Sequence, residues 1–215
     1  PPFSKGWEKK KYEDDEIVAF PMYPHYSSTT TKSSIEDFQK ALKKANINIP
    51  LKTIDSYYDN EKYNKVIVER IKESLNGDDS EEFELVFSAH GLTQRVIDKG
   101  DSYQKHILAN VECAKKELEK QGIRFKDIHV AYQSRLGPME WLKPYMDDKL
   151  RELGKKVLVY PISFTVDNSE TEFELVIEYK EIADESGIED YRVAKAPNNH
   201  PLFLETLEEL FKQAV

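Results

Sequence analysis

Apolar residues along this chain recur in two alternating rhythms. Short runs rich in Val, Ile and aromatic residues stand at Ile17 to Met22, Leu51 to Ile54, Leu85 to Phe87, Ile128 to Tyr132, Val157 to Ile162 and Tyr191 to Ala194. Each is the length of a strand. Between them lie stretches with a helical stripe, such as Tyr63, Val66, Ile67 and Ile71, or Tyr103, Ile107, Val111, Ala114 and Leu118. Ser33 with Glu36, and Ser169 with Glu172, have the spacing of a capping box and so predict helix starts. Asn76-Gly77 and Gly154 stand where helices should stop. This strand and helix alternation predicts an α/β chain of parallel sheets covered by helices on both faces. The polar, acidic stretch from Gly77 to Glu82 predicts a boundary near Asp78-Asp79-Ser80.

Composition narrows the chemistry. The 215 residues are 39% hydrophobic, and no apolar stretch approaches the roughly eighteen residues of a membrane span, so a soluble protein is expected. A formal net charge of -9, from 40 acidic against 31 basic residues, disfavours a nucleic-acid partner, because binding a phosphate backbone rests on Lys and Arg. The single Cys113 excludes an internal disulfide and a cysteine-ligated cluster within one chain, and fits a reducing cytoplasm. No secretory signal is visible. The chain opens on Pro1-Pro2-Phe3-Ser4 without an initiator Met and runs through a polar stretch, Lys9 to Glu16, as if its beginning had been cut.

Ligands of open parallel sheets bind beyond the carboxyl ends of the strands. Four loops are candidates: Pro21 to Thr31, Ser88 to Leu92, Gln133 to Pro138 and Ser163 to Glu170. None carries a glycine-rich phosphate loop or a dinucleotide fingerprint. His90, in Phe87-Ser-Ala-His-Gly91, can exchange a proton near neutral pH or ligate a metal, with Gly91 letting the backbone turn closely beneath a ligand. A packed, hydrogen-bonded core histidine is the plain alternative. Of the other histidines, His25 in the aromatic loop reads as a packing or hydrogen-bonding residue.

Glu170, Glu174 and Glu178 are spaced four apart, along one side of a predicted helix, while Phe173, Leu175, Val176, Ile177 and Tyr179 make most of the remainder apolar. Like charges at that spacing cost an isolated helix about 0.2–0.5 kcal/mol per pair. An exposed acidic face is the ordinary explanation. The apolar remainder argues instead for a largely buried helix whose acidic stripe faces an internal cleft.

Several motifs in order carry a family resemblance: Tyr23-Pro-His-Tyr-Ser27 with Thr29-Thr-Thr31, Ser88-Ala-His-Gly91, Ala131-Tyr-Gln-Ser-Arg-Leu-Gly-Pro138 with Trp141-Leu142, Pro161-Ile-Ser-Phe164, and Asp167-Asn-Ser-Glu-Thr171. Together they resemble ferrochelatase along the whole chain. The resemblance implies two similar Rossmann-like halves with a cleft between them, and insertion of ferrous iron into a porphyrin to make haem. It puts the active-site histidine at His90, the facing glutamate at Glu170 on an opposite wall, and an acidic line through Glu174 and Glu178, so that His90, Glu170, Glu174 and Glu178 are the expected metal-handling residues. The loop lining the porphyrin falls on Tyr23, Tyr26, Ser27 and Thr30, and a nearby packing aromatic on Trp141. No permanent cofactor is implied, and Fe2+ enters as substrate beside the porphyrin. Membrane contact, if made, would be peripheral, and no amphipathic basic helix stands out for it.

Two departures from the family pattern are visible. Asn168 stands where many relatives have a second histidine, and the chain starts after the family's first strand and porphyrin lip. The expected division is an incomplete amino-terminal α/β half over 1–80, a second half over 81–198 carrying His90 and Glu170, and a terminal helix over 199–215 packing back on the first half. Two other readings stay open: a porphyrin or haem-binding module that inserts no metal, and a two-lobed binder of small ligands.

Overall fold

All six apolar runs form strands, and among the described residues every strand pairing is parallel. The computed structural model describes residues 16–215, so the Pro1 start and the polar run from Lys9 to Asp15 lie outside the described residues. The first sheet pairs β1 (Ile17–Ala19) with β2 (Leu51–Thr53). The second has four strands in the order β4 (Asp127–Gln133), β3 (Glu84–His90), β5 (Lys156–Pro161), β6 (Asp190–Val193). After β3 the chain adds β4 on one side and then returns to add β5 on the other. The order therefore reverses at β3, and a crevice opens at its carboxyl end.

Strand alternation sorts the core of the second sheet into two layers. Leu85, Phe87 and Ala89 of β3, with Leu158 and Tyr160 of β5, face one cluster. In it, α2 (Glu61–Leu75), α4 (Tyr103–Lys120) and α7 (Pro201–Ala214) bury Tyr63, Ile67, Ile71, Ile107, Leu118 and Phe203. Val86, Ala131, Val157 and Val159 face the other, beneath α5 (Met146–Leu150), a π-wound helix (Glu170–Glu178) and α6 (Tyr179–Glu185). Each large side chain so buried contributes about 1.5–3 kcal/mol. Helices thus cover both faces of this sheet, as the alternation predicts.

The acidic stretch around Asp78–Ser80 is a tight connection between α2 and β3. Asn76 ends α2 in the left-handed conformation (φ 52°), the stop expected there. Since α2 and β3 bury side chains in the same cluster, core packing continues across that stretch. Helix α7 packs on α2, with Lys62 and Glu209 paired at 2.8 Å. Between β1 and β2, a π turn (Ser28–Lys32) runs into α1 (Ser33–Lys44), which buries no residue among those described.

Both predicted capping boxes are displaced. Ser33 lies inside a helix that starts earlier, capped by Ser27, whose Oγ accepts from the Thr29 N–H at 3.1 Å. Ser169 is already helical and makes no cap. Asn168 caps instead: its Oδ1 accepts from the Glu170 N–H at 2.8 Å, and its own N–H donates to Thr171 Oγ1 at 2.8 Å. In both places a neighbouring polar residue holds the extended or turn geometry that a cap needs. Among the described residues, no helix is long and apolar enough to cross a membrane.

Candidate active site

His90 is the last residue of β3, and alternation puts it on the same face as Val86, the face covered by the π-wound helix. In register beside it on β4 is Gln133, two residues beyond Ala131 on the same face. Above this pair, Glu170 and Glu174 hang from the helix. His90 Nδ1 and Glu170 Oε2 meet at 2.8 Å, with both side chains partly exposed. Beside an ionised Glu170 the Nδ1 carries the proton and donates it, which leaves the Nε2 lone pair for a ligand or an incoming proton.

The His90 backbone is held as firmly as the ring. Its N–H donates to Ser163 Oγ at 2.9 Å, and its carbonyl accepts from Tyr103 Oη at 2.9 Å. The ring edge faces Phe164, centroids 6.4 Å apart. Gly91 is required here for a reason other than room beneath a ligand. A Cβ at this position would lie 2.7 Å from the Gln133 carbonyl oxygen and 3.4 Å from the Trp141 ring, so only glycine lets β4 and the indole approach.

A cleft of about 390 Å³ opens over this pair. On one side it is lined by the loop after β1, including Tyr23, His25, Ser27 and Thr30, and on the other by His90, Tyr103, Ser163, Phe164, Asn168 and Glu170. Asp101 fastens that loop to the start of α4, its Oδ2 accepting from the Ser28 N–H at 2.7 Å, Ser28 Oγ at 2.5 Å and Ser27 Oγ at 3.1 Å. The carboxyl feels opposing effects: partial burial raises its pKa, but these bonds outweigh it and hold the pKa below the usual value. Tyr26 donates its N–H to His106 Nδ1 at 3.1 Å, and Met22 accepts at its carbonyl from Thr165 Oγ1 at 3.0 Å.

Some expected site residues stand elsewhere. Tyr26 and Trp141 are absent from the cleft lining: Tyr26 serves through its backbone, and Trp141 packs over Gly91 with Nε1 donating to the Leu136 carbonyl at 3.0 Å. Glu170 does not face His90 from an opposite wall. Both belong to the second sheet's upper face and touch directly.

The acidic column also divides. Glu174 turns to β4, accepting from the Ser134 N–H at 2.6 Å, Ser134 Oγ at 2.5 Å, Gln133 Nε2 at 3.1 Å and Tyr179 Oη at 3.1 Å. All four of these donors are neutral. Glu178 is exposed, and the next residue, Tyr179, takes the inward place. The helix is not largely buried. Leu175 lies inside, but Phe173, Val176 and Ile177 are about half exposed, with 56%, 43% and 50% of their surface open. Among the described residues, no three His, Cys, Asp or Glu side chains converge as a metal cage, so the four expected metal-handling residues stand as a contact pair followed by two separate carboxylates.

Sequence reasoning missed Tyr103, Ser163 and Phe164 as neighbours of His90. Ser163 and Phe164 fall in a loop already singled out, but Tyr103 reads only as one member of the α4 stripe, and nothing in its spacing points its hydroxyl at β3.

Comparison with known proteins agrees with the motif series. Residues 4–215 match the family model described as Ferrochelatase. The ferrochelatase of Sulfurimonas denitrificans is 46% identical over 214 residues, covering 98% of this chain and 68% of that protein. The one of Nitratiruptor sp. is 47% identical over 216 residues, covering 99% and 69%. Among solved structures, CbiX, described as the terminal enzyme for biosynthesis of siroheme in denitrifying bacteria, superposes with a TM-score of 0.62 at 14% identity, covering 94% of this chain and 77% of that one. At that identity the likeness is one of fold.

Proposed function

The chain belongs to the ferrochelatase family, whose reaction is insertion of ferrous iron into a porphyrin to form haem, and we propose that His90 and Glu170 are the groups that carry this reaction here. The observation that supports the assignment is their 2.8 Å contact at the wall of a largely apolar cleft.

Metalation replaces two pyrrole N–H protons with one Fe2+. A free porphyrin therefore loses two protons for each iron it gains, and the protein must provide acceptors beside the macrocycle centre. His90 Nε2 is an unprotonated nitrogen in the tautomer that Glu170 selects, so it takes the two pyrrole protons one after the other, passing the first to solvent at the open cleft before it accepts the second. A proton arriving at Nε2 makes an imidazolium that keeps its Nδ1 bond to the Glu170 carboxylate. Tyr23, Ser27 and Thr30, with Phe164 opposite, form walls that hold a planar ring over this pair and exclude water. Glu174 is tied to the end of β4 and Glu178 opens to solvent, so protons or cations passing along the row would leave through Glu178.

Porphyrin and Fe2+ are the substrates. We place the reaction in the cytoplasm, without nucleic acid and with any membrane contact peripheral, on the strength of the acidic charge and the single Cys113. Titrating protoporphyrin and coproporphyrin with and without Fe2+ under reducing conditions, and following the visible bands, tests the activity. His90→Ala is expected to abolish metalation while porphyrin still binds. Near-normal haem formation by that variant overturns the assignment, and binding without metal insertion by the unaltered protein favours the binding-module reading.

A further inference from the structure

The geometry points to Tyr103, with Ser163, as the positioning device that aims His90, a role resting on the ferrochelatase reading for its catalytic consequence but not for its structure. In a parallel sheet, the N–H and C=O of one residue point to the same neighbouring strand, and those of the next residue point to the other. On β3, Ser88 faces β5, its carbonyl accepting from the Ile162 N–H at 2.9 Å, while Gly91 faces β4, its N–H donating to the Gln133 carbonyl at 2.9 Å. His90 therefore faces β5.

There the ladder has ended. β5 stops at Pro161, the last partner of β3 in that ladder, and the chain turns away through Ile162 and Ser163. Both main-chain groups of His90 would be left open at the cleft edge, an arrangement that costs free energy unless partners are found. Two side chains take the missing places. Ser163 Oγ accepts the N–H and Tyr103 Oη donates to the carbonyl, each at 2.9 Å.

Tyr103 is well built for this task. Only 7% of its surface is exposed, it stands at the first position of α4, and its ring is set edge-on to the buried His25 ring with centroids 6.0 Å apart. Its hydroxyl therefore has a fixed origin. Together the two bonds fix the peptide planes on either side of the His90 Cα and, through them, the direction of the imidazole towards Glu170. Tyr103 is a positioning residue, since it acts on the reaction through the His90 main chain.

Tyr103→Phe keeps the ring and removes the hydroxyl, and Ser163→Ala provides a second, smaller lesion. Tyr132→Phe is the control, because Tyr132 is also buried but its hydroxyl has no partner and lies outside the cleft lining. The readouts are kcat, KM for porphyrin, melting temperature, and the ring 15N resonances of His90. For Tyr103→Phe, kcat is expected to fall by about tenfold to a hundredfold, the scale of a small misplacement, with porphyrin KM within about twofold. The His90 ring resonances are expected to move in Tyr103→Phe and Ser163→Ala and to stay in place in Tyr132→Phe. A lower melting temperature with unchanged kcat and unmoved resonances overturns the proposal and makes Tyr103 a stability residue. Should the unaltered protein insert no metal, the functional reading fails by itself, while the resonances still decide the positioning role.

Discussion

Glu174 shows how a single residue's meaning depends on its partners. Four donors converge on its carboxylate, and two of them come from Ser134, which holds a left-handed backbone (φ 66°) that a non-glycine residue adopts at a cost. The carboxylate therefore ties the π-wound helix to the end of β4, whatever it does for protons. Glu174→Gln keeps the size but turns one acceptor into a donor, leaving at least one of the four donors without an acceptor. A loss of about 1–3 kcal/mol in denaturant unfolding is expected. Unchanged stability with slowed turnover would identify Glu174 as a relay instead of a tie. Its spacing from Glu170 is plain in the sequence, but three of the four donors it meets, from Gln133 and Ser134, lie about forty positions away along the chain.

The helix that carries these glutamates was legible in outline and misjudged in detail. Spacing of four is compatible with π winding, and the structure winds it so from Glu170 to Glu178 before returning to α at Tyr179. Its apolar residues suggested burial, but Phe173, Val176 and Ile177 remain largely open because only the side through Glu170, Thr171, Glu174 and Leu175 meets the sheet. Asn168 has a clear part in this element. Its side chain takes the Glu170 N–H, so it holds in place the backbone of the residue that meets His90. Asn168→Ala is expected to lose about 1 kcal/mol and to lower the melting temperature by about 2–4 °C, with Asn168→Ser recovering most of it. An Ala variant as stable as the parent would show that the cap is dispensable.

Across the whole molecule, the loop after β1 is pinned to α4, the turn before it and the loop after β5 by polar contacts, and one of these is sensitive to acid. His25 is 2% exposed, its Nε2 meets Asn110 Oδ1 at 2.9 Å, and its Nδ1 has no partner. Burial lowers its pKa from 6.5 to about 3, the Asn110 bond works weakly the other way, and nearby His106 adds to the lowering. Since the folded value lies below the unfolded one, the unfolded chain binds more protons between these two values. The stability from a neutral His25 is therefore complete above about pH 6.5 and falls as pH drops towards 3, by up to about 1.4 kcal/mol per unit. His25→Gln keeps a donor for Asn110 and removes the titration. The stability advantage of the parent over this variant is expected to shrink between pH 7 and pH 5 in denaturant unfolding, and a gap independent of pH would sink the linkage.

What the sequence alone determined is the set of elements and the chemical types at their ends. Hydrophobic period is a local property, so Leu85, Phe87 and Ala89 announce a strand face without their partners, and the ordered motifs around His90 and Glu170 identify the family. What only the tertiary structure decided is which side chains meet. The order β4-β3-β5-β6 places Gln133 beside His90, the early end of β5 leaves His90 to Ser163 and Tyr103, and the turn of one helix sends Glu170 and Glu174 to different partners. Those outcomes follow from strand neighbours and helix rotation, which depend on contacts between residues far apart in the chain and leave no periodic trace within any one segment.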